Sequence, residues 1–334
     1  MTTGAVTVSA LVRCAARPLG GTVDGMIEVH RLTKRYGRTT AVDGLTFTVH
    51  PGLVTGFLGP NGAGKSTTLR MLLGLSEPTG GTATVGGRPF RERPRGLRHV
   101  GALLDAGDVH GGRSGRAHLR ALARGNAVPL GRVEAVLEEV GLAGAAGRRI
   151  GGYSLGMKQR LGIAAALLGD PPVLLFDEPL NGLDPEGVRW VRGLFRRLAA
   201  EGRTVFVSSH LMSEMEHTAD RLVVIGRGRL IAAETVAEFA ARGAGPAGAR
   251  PAVTVRTPTP EVLTSALTAA GGTVARGDGA DALVVTGLEA ARIGALALDH
   301  RVPLLELTSR TASLEEAFMA LTADRVDHPA GGTR

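Results

Sequence analysis

Gly59-Pro-Asn-Gly-Ala-Gly-Lys65-Ser66-Thr67 carries the strongest structural signal in this 334-residue chain. It fits GxxxxGK[ST] and follows an apolar run, residues 53–58, that predicts a buried strand. The glycines let backbone N–H groups turn toward one anion, and the following helix adds its positive end. We expect Lys65 to reach the β- and γ-phosphates of a nucleotide and Ser66 to ligate Mg²⁺. The predicted phosphate loop is Gly59, Pro60, Asn61, Gly62, Ala63, Gly64, Lys65, Ser66 and Thr67.

Composition indicates a globular protein of two domains. Apolar residues make up 43% of the sequence, enough for sizeable cores, although aromatic residues are only 3%. The single cysteine, Cys14, excludes internal disulfides and a cysteine zinc site, which suits a reducing cytoplasm. The best candidate for a membrane span, residues 162–176, is interrupted by Asp170 and two prolines. Any function at a membrane is therefore expected to require a partner chain.

The first 25 residues are interpreted as an N-terminal extension. Their apolar stretch, residues 6–12, is broken by Thr7 and Ser9 and does not fit a secretory signal. We expect residues 1–25 to be disordered, and Met26 is an alternative start.

The formal net charge of +8 invites a nucleic-acid-binding interpretation. Arginines are spread along the chain, however, and the one local cluster, residues 88–98, contains prolines and almost no aromatic side chains for base stacking. We interpret that cluster as a solvated loop and expect no specific nucleic acid as a partner.

The segments around the phosphate loop predict strands and one helix. Tyr36 lies just before these strands and could stack on a nucleobase, although a half-buried tyrosine at a strand end is the simpler interpretation. The expected elements are a strand at 26–30, a polar turn at 31–37, strands at 41–49 and 53–58, a helix at 67–75 and a hairpin at 82–87.

From residue 116 to residue 169 the pattern changes to that of helices. Four valine and leucine residues between Val133 and Val140 recur at helical spacing, which predicts a helical insert with one apolar face. Ser154 precedes a helix that is expected to run to Leu168, and N-capping alone would explain that serine.

Two adjacent carboxylates, Asp177 and Glu178, follow the apolar run 173–176. They are therefore expected at the carboxyl end of a buried strand, where open α/β sheets bind ligands. One carboxylate can hold Mg²⁺ through its water shell and the other can accept a proton from an attacking water. An exposed acidic strand end is the alternative. His210 follows the next predicted strand, residues 204–207, and is a candidate γ-phosphate sensor.

Together these motifs resemble those of the ATP-binding cassette (ABC) family from about residue 27 to residue 240. The resemblance implies an α/β fold: a P-loop NTPase cassette with a mixed sheet core, an antiparallel β subdomain and an α-helical subdomain. Residues 59–66 look like Walker A, 154–159 like the signature sequence, 176–178 like Walker B, 181–184 like the D-loop and His210 like the switch histidine.

The resemblance also implies roles and cofactors, namely ATP and Mg²⁺. Tyr36 is expected to stack on adenine, Asp177 to support Mg²⁺ and Glu178 to act as general base. His210 and Lys65 are expected to contact the transferred phosphate. A head-to-tail dimer is implied, in which Ser154 and Gly156 of one copy close over ATP held by the other. Asp184, in the D-loop, is included among the nucleotide-binding residues.

The sequence departs from the family's pattern at two places. Leu155 and Met157 replace the commoner glycine and glutamine of the signature, whereas Ser154 and Gly156 are kept. Asp105 stands where the family usually has a glutamine that touches Mg²⁺ or the attacking water and couples to the transmembrane partner. Asp105 is expected to bind Mg²⁺ through water. An acidic residue here, with this signature, is similar to exporter subunits of the bacitracin and lantibiotic type.

The rest of the chain predicts a small accessory domain with the βαββαβ order of a ferredoxin-like α+β fold. No residue set in it looks catalytic, and a regulatory or dimer-supporting role is favoured over a packing appendage. The predicted boundaries are 26–241 for the ABC domain, with its helical part at about 101–170, 242–251 for a linker, 252–325 for the accessory domain, which ends in a helix at 313–321, and 326–334 for a tail.

The leading functional hypothesis is an ATP-hydrolysing subunit that drives a separate membrane permease from the inner face of the membrane. Its substrate would be an exported antibiotic, peptide or lipid-like molecule, and residues 105–116 are the expected coupling surface. The alternative is a soluble ABC ATPase with a regulatory role or one linked to nucleic acid or the ribosome. The chain between Lys65 and Asp177 is too short for the long coiled coil of chromosome-maintenance ATPases, and ribosome-associated members carry two cassettes.

Overall fold

The computed structural model describes residues 25–243, 252–277 and 279–310, together with residues 314, 315 and 318. The predicted N-terminal extension up to residue 24, most of the predicted linker and final helix, and the predicted tail lie outside these residues. The described chain contains a larger α/β unit and a smaller α+β unit, each with its own sheet and apolar core.

The larger unit alternates strands and helices. Its strands are β1 (Ile27–Tyr36), β2 (Thr39–Val49), β3 (Val54–Leu58), β4 (Gly80–Val85), β5 (Val100–Leu103), β6 (Val173–Asp177), β7 (Thr204–Ser209), β8 (Arg221–Gly226) and β9 (Arg229–Thr235). Its helices are α1 (Lys65–Leu72), α2 (Gly115–Gly125), α3 (Gly131–Glu139), α4 (Leu155–Leu167), α5 (Pro185–Ala200), α6 (Met212–Glu216) and α7 (Val236–Gly243). Short 3₁₀ turns lie at Phe90–Glu92, Gly96–Arg98, Ala143–Ala145 and Ile150–Gly152.

A six-stranded sheet forms the centre of this unit, in the order β5-β6-β7-β3-β8-β9. The first five of these strands are parallel to their neighbours, and β9 is antiparallel to β8. Every residue of β3, β6 and β7 is buried, as expected for apolar runs in a parallel sheet covered on both faces. The carboxyl ends of these three strands therefore meet at one edge of the sheet.

A second sheet, antiparallel, has the order β2-β1-β4. The polar turn predicted at 31–37 is wrong, because β1 continues to Tyr36, which pairs with Thr39. The pairing is irregular around Arg31, whose φ is +48°, and Leu32 returns to full burial beyond it. The alternation of buried and exposed residues is interrupted at this irregularity, but the strand continues to pair with β2 on its far side. At the predicted hairpin, Val85 and Arg88 form an antiparallel bridge across the Gly86-Gly87 turn, while the strand partner of β4 is β1.

The helical insert packs α2, α3 and α4 together. Val133, Val136, Leu137 and Val140 are all fully buried, which confirms the predicted apolar face. Residues 101–103, predicted as the start of the insert, instead belong to β5 in the central sheet. At Gly101 a Cβ atom would lie 1.9 Å from the carbonyl oxygen of Ala166, so glycine allows α4 to lie directly on β5.

The smaller unit has the element order β-α-β-β-α-β that the sequence predicts. Its sheet has the order β11-β12-β10-β13 and is antiparallel throughout. Assignment to the ferredoxin-like class stays a prediction. The elements are β10 (Ala252–Arg256), α8 (Pro260–Ala269), β11 (Thr273–Arg276), β12 (Ala282–Thr286), α9 (Ala290–Asp299) and β13 (Glu306–Arg310).

Three further features complete the fold. Residues 211–241, for which no elements were predicted, form α6, β8, β9 and the larger part of α7. Leu314 and Phe318, beyond the smaller unit, pack into the apolar core of the larger one. Among the residues described, no helix combines the length and the apolar character that a membrane span needs.

Candidate active site

The loop between β3 and α1 has the backbone shape of an anion cradle. Gly62 and Gly64 have φ values of +79° and +103°, a region that favours glycine. At Gly64 a Cβ atom would also lie 2.5 Å from the carbonyl oxygen of Ala41. Gly64 is the N-cap of α1, and within the described residues no side-chain hydrogen bond caps that helix. The N–H groups of this turn are therefore left for a ligand.

Lys65 turns its side chain back along this loop. Its side chain is 6% exposed, and its ammonium group donates hydrogen bonds to the carbonyl oxygens of Gly59, at 2.7 Å, and Pro60, at 3.4 Å. The same nitrogen lies 3.5 Å from Oε1 of Glu178. The lysine thus joins the phosphate loop to the end of β6.

Glu178 stands between two cationic or proton-bearing groups. Its Oε1 faces Lys65, and its Oε2 lies 2.9 Å from Nδ1 of His210. A carboxylate accepts hydrogen bonds, so a hydrogen bond at this contact places the proton on Nδ1 and leaves Nε2 as the other ring nitrogen. The backbone of Glu178 has a φ of +49°, a conformation that costs free energy for a residue with a Cβ atom.

Asp177 is the buried member of the carboxylate pair. Its Oδ1 accepts a hydrogen bond from the hydroxyl of Ser208, and among the described residues no lysine, arginine or histidine forms an ion pair with it. A buried carboxylate without a cationic partner suits a bound cation.

The donor set fits Mg²⁺. Asp177 and the hydroxyl of Ser66 are hard oxygen donors, and Mg²⁺ takes few protein ligands beside phosphate oxygens and water. The described chain contains no group of three or more His, Cys, Asp or Glu side chains placed to hold a metal ion.

Asp105 is not joined to this cluster. It follows β5 in an exposed loop, and its Oδ1 accepts a hydrogen bond of 2.7 Å from the N–H of Gly107. In the described part of the chain, no hydrogen bond or ion pair links it to Asp177, Glu178 or Ser66. Its predicted role toward Mg²⁺ stays a prediction.

Ser154 and Gly156 lie beside residues 181–184 and not in the lysine cluster. Ser154 caps α4 by accepting a hydrogen bond of 3.2 Å from the N–H of Met157, as predicted. Leu155 packs over Gly182, where a Cβ atom would lie 2.1 Å from the leucine side chain. Within the described residues, no hydrogen bond joins this segment to the phosphate loop of its own chain.

Asp184 and Tyr36 are also exposed. Asp184 caps α5 by accepting a hydrogen bond of 2.8 Å from the N–H of Gly187. Tyr36 is 53% exposed, its hydroxyl lies 3.3 Å from the hydroxyl of Ser76, and Lys34 stands over its ring. A ring about half exposed at the end of β1 agrees with the simpler interpretation, and its exposed part is open to a planar ligand.

Ser208 also belongs to this cluster, although no sequence motif indicated it. This fully buried serine bonds to both residues of the carboxylate pair, through the side chain of Asp177 and the N–H of Glu178. Its only signal in the sequence is a polar residue in an otherwise apolar strand end, beside Ser209 and His210.

Family models match both units of the chain. The family model described as "ABC transporter" matches residues 42–181, and a domain of unknown function matches residues 251–315. These two matches fall on the larger and the smaller unit, respectively.

Individual proteins are similar over about two thirds of this chain. The bacitracin transport ATP-binding protein BcrA of Enterococcus faecalis is 41% identical over 218 residues, which cover 64% of this chain and 70% of that protein. The lantibiotic transport ATP-binding protein SrtF of Streptococcus pyogenes is 36% identical over 206 residues, 62% of this chain and 89% of that protein. A solved ATP-binding subunit of an ABC transporter superposes with a TM-score of 0.60 at 28% identity, covering 64% of this chain and 91% of that one.

The left-handed backbone of Glu178 can be tested through the free energy of unfolding of two variants. Glu178→Gly is expected to be more stable than Glu178→Ala by about 1–2 kcal/mol, since the left-handed conformation costs a residue with a Cβ atom that much. Both variants lose the same carboxylate, so urea unfolding of the pair isolates the backbone. If φ at this position were negative, the alanine variant would be the more stable of the two by about 0.5–1 kcal/mol. A more stable alanine variant would therefore contradict the left-handed backbone at Glu178.

Proposed function

Because the chain belongs to the family of ABC transporter ATP-binding proteins, we propose that the cluster around Glu178 is its active site and that it powers a separate membrane permease. The chain is an ATP-binding subunit of an ABC transporter and hydrolyses ATP. The observation that carries the proposed site is the position of Glu178 between Lys65 and His210, at the strand edge that holds the phosphate loop.

Each residue of this cluster has a distinct task in phosphate hydrolysis. The free N–H groups after Gly64 and the ammonium of Lys65 hold the β- and γ-phosphates, where negative charge develops. Glu178 takes the proton of the attacking water, and His210 orients its carboxylate through Nδ1. A phosphate oxygen can replace the loop carbonyls as partner of Lys65, since the ammonium group rotates freely.

Mg²⁺ is proposed as the cofactor, held by Ser66 and, through water, by Asp177. When bound, it neutralises charge on the β- and γ-phosphate oxygens. Tyr36 offers its exposed ring to adenine.

Replacement of Glu178 tests the base assignment. Glu178→Gln is expected to bind ATP and to accumulate as an ATP-bound dimer, while phosphate release falls by about 10²–10⁴-fold, the usual contribution of a general base. Size-exclusion chromatography with ATP and a phosphate-release assay measure the two effects. Lys65→Ala is the contrast, since it is expected to lose nucleotide binding and hence the dimer. Full turnover by Glu178→Gln would refute the assignment.

A second copy of the chain is the proposed partner at the active site. Ser154 is exposed at the amino end of α4, and the adjacent turn at 181–184 also exposes Asp184. Neither segment contacts the phosphate loop of its own chain through a described hydrogen bond. Ser154, Gly156 and Asp184 are therefore available to close over ATP held by another copy, in the head-to-tail arrangement that the family resemblance implies.

The two serine caps of the helical insert provide a matched test. Ser154 and Ser114 each accept a hydrogen bond of 3.2 Å from the third residue along their helix. Ser154→Ala and Ser114→Ala should each lose about 1 kcal/mol of stability, the usual contribution of an N-cap. In the Glu178→Gln background, only Ser154→Ala is expected to weaken the ATP-dependent dimer. Equal weakening by both, measured by analytical ultracentrifugation, would assign Ser154 a capping role alone.

A membrane permease is the second proposed partner, and through it the chain lies on the inner face of the membrane. The similarity to bacitracin and lantibiotic transport proteins supports export of an antibiotic or other peptide as the process that ATP hydrolysis drives. The exposed loop that begins at Asp105 and leads into α2 is the proposed coupling surface.

Co-purification tests this partner. The tagged chain, extracted from its own cells with mild detergent, is expected to retain a polytopic membrane protein whose presence changes the ATPase rate. Recovery of the chain with salt-sensitive nucleic acid or with ribosomes, and without such a membrane protein, would favour the alternative function instead.

A further inference from the structure

Ser208 joins the two carboxylate residues of the active site. In the parallel pairing of β6 with β7, Ser208 lies opposite Asp177. Its hydroxyl donates a hydrogen bond to Oδ1 of Asp177, at 2.5 Å, and accepts one from the N–H of Glu178, at 3.0 Å. The residue is fully buried, so water does not compete for either bond.

The hydrogen bond to Asp177 fixes how that carboxylate is presented. With Oδ1 engaged by a buried donor, rotation about the bond to the carboxyl group is restricted. Oδ2 is then the oxygen that remains for water around a cation. Partners of this kind, behind a metal-supporting group, commonly contribute about 10–100-fold to metal affinity or activity.

The hydrogen bond from Glu178 supports a strained backbone. The φ of +49° at Glu178 persists only where the surroundings hold it. Ser208 accepts from the N–H of this residue, and the side chain of Glu178 then reaches Lys65 and His210. One hydroxyl therefore acts on both the orientation of Asp177 and the direction of Glu178.

The neighbouring serine does not duplicate this arrangement. The hydroxyl of Ser209 accepts from the N–H of Leu211 and donates to Glu214, on the side of α6. Both serines are buried in β7, but Ser208 bonds to the carboxylate pair and Ser209 bonds to residues in and next to α6.

We propose that Ser208 is a positioning residue for ATP hydrolysis, which sets the carboxylate of Asp177 for Mg²⁺ and the carboxylate of Glu178 for the attacking water. This inference rests on the proposed active site. Ser208 touches neither nucleotide nor metal in this role and acts through the two acids.

The test separates metal affinity from turnover. Mn²⁺ serves as the probe, and its binding to the full chain is followed by electron paramagnetic resonance with a non-hydrolysable ATP analogue. Ser208→Ala is expected to weaken Mn²⁺ binding about 10-fold, within the range for such supporting groups, and to leave metal-free binding of the analogue within about twofold. In steady-state assays kcat should fall at least as much, with little change in KM for ATP.

Thr204→Val is the matched control, since it removes a buried hydroxyl that donates to the carbonyl of Gly25 at the other end of β7. It is expected to leave Mn²⁺ affinity and kcat unchanged. Ser208→Thr keeps the hydroxyl, so its Mn²⁺ affinity and its kcat should be close to those of the unaltered chain. Ser208→Cys places a thiol, a weaker hydrogen-bond donor and acceptor of similar size, at this position, so it should behave as Ser208→Ala does. The cysteine variant replaces the alanine variant in the test if the latter does not fold.

Two results overturn the proposal. Unchanged Mn²⁺ affinity in the folded alanine or cysteine variant would remove the positioning role, as would an equal loss in Thr204→Val. Failure of the unaltered chain to hydrolyse ATP would instead contradict the proposed function, so the two failures are distinguishable.

Discussion

The parallel register of β3, β6 and β7 is the constraint on which the active site depends. Backbone hydrogen bonds set Ser208 opposite both Phe57 and Asp177, so the three strands end at nearly the same level. The phosphate loop follows β3 and His210 follows β7, whereas Asp177 is the last residue of β6 and Glu178 follows it. These groups converge for that reason. A slip of one residue in β6 or β7 would turn each side chain to the opposite face of the sheet and disperse the cluster.

Strain and burial are concentrated at this edge of the sheet. Gly64 has a backbone that few other residues could adopt, and Glu178 adopts a left-handed conformation despite its side chain. Asp177 and Ser208 are buried polar residues beside it. The fully apolar strands behind them supply the burial that offsets these costs, in keeping with the observation that strained conformations cluster at functional sites. The same arrangement gives the acids fixed directions before any nucleotide binds.

The residues proposed to bind the nucleotide fall into two sets. Lys65, Glu178 and His210 contact one another within one chain. Ser154 and Asp184 lie on a different, exposed part of the molecule, where the segment after Ser154 packs against the turn at 181–184. This separation is consistent with the proposed site completed by two copies, because in the described residues no hydrogen bond joins the second set to the phosphate loop of its own chain. Asp105, in a loop with its own internal hydrogen bond, belongs to neither set.

The sequence by itself determined the features that consecutive residues encode. The glycine pattern before Lys65, the apolar runs of the central strands, the acid pair after β6 and the spacing of Val133 to Val140 are all local signals, and the structure places them as predicted. Only the tertiary structure decided that residues 31–36 continue β1, that residues 101–103 join the sheet, and that Ser208 binds both acids. Each of these depends on the pairing of strands far apart in the chain. That pairing is set by backbone partners and burial across the whole sheet, which no short stretch of sequence contains.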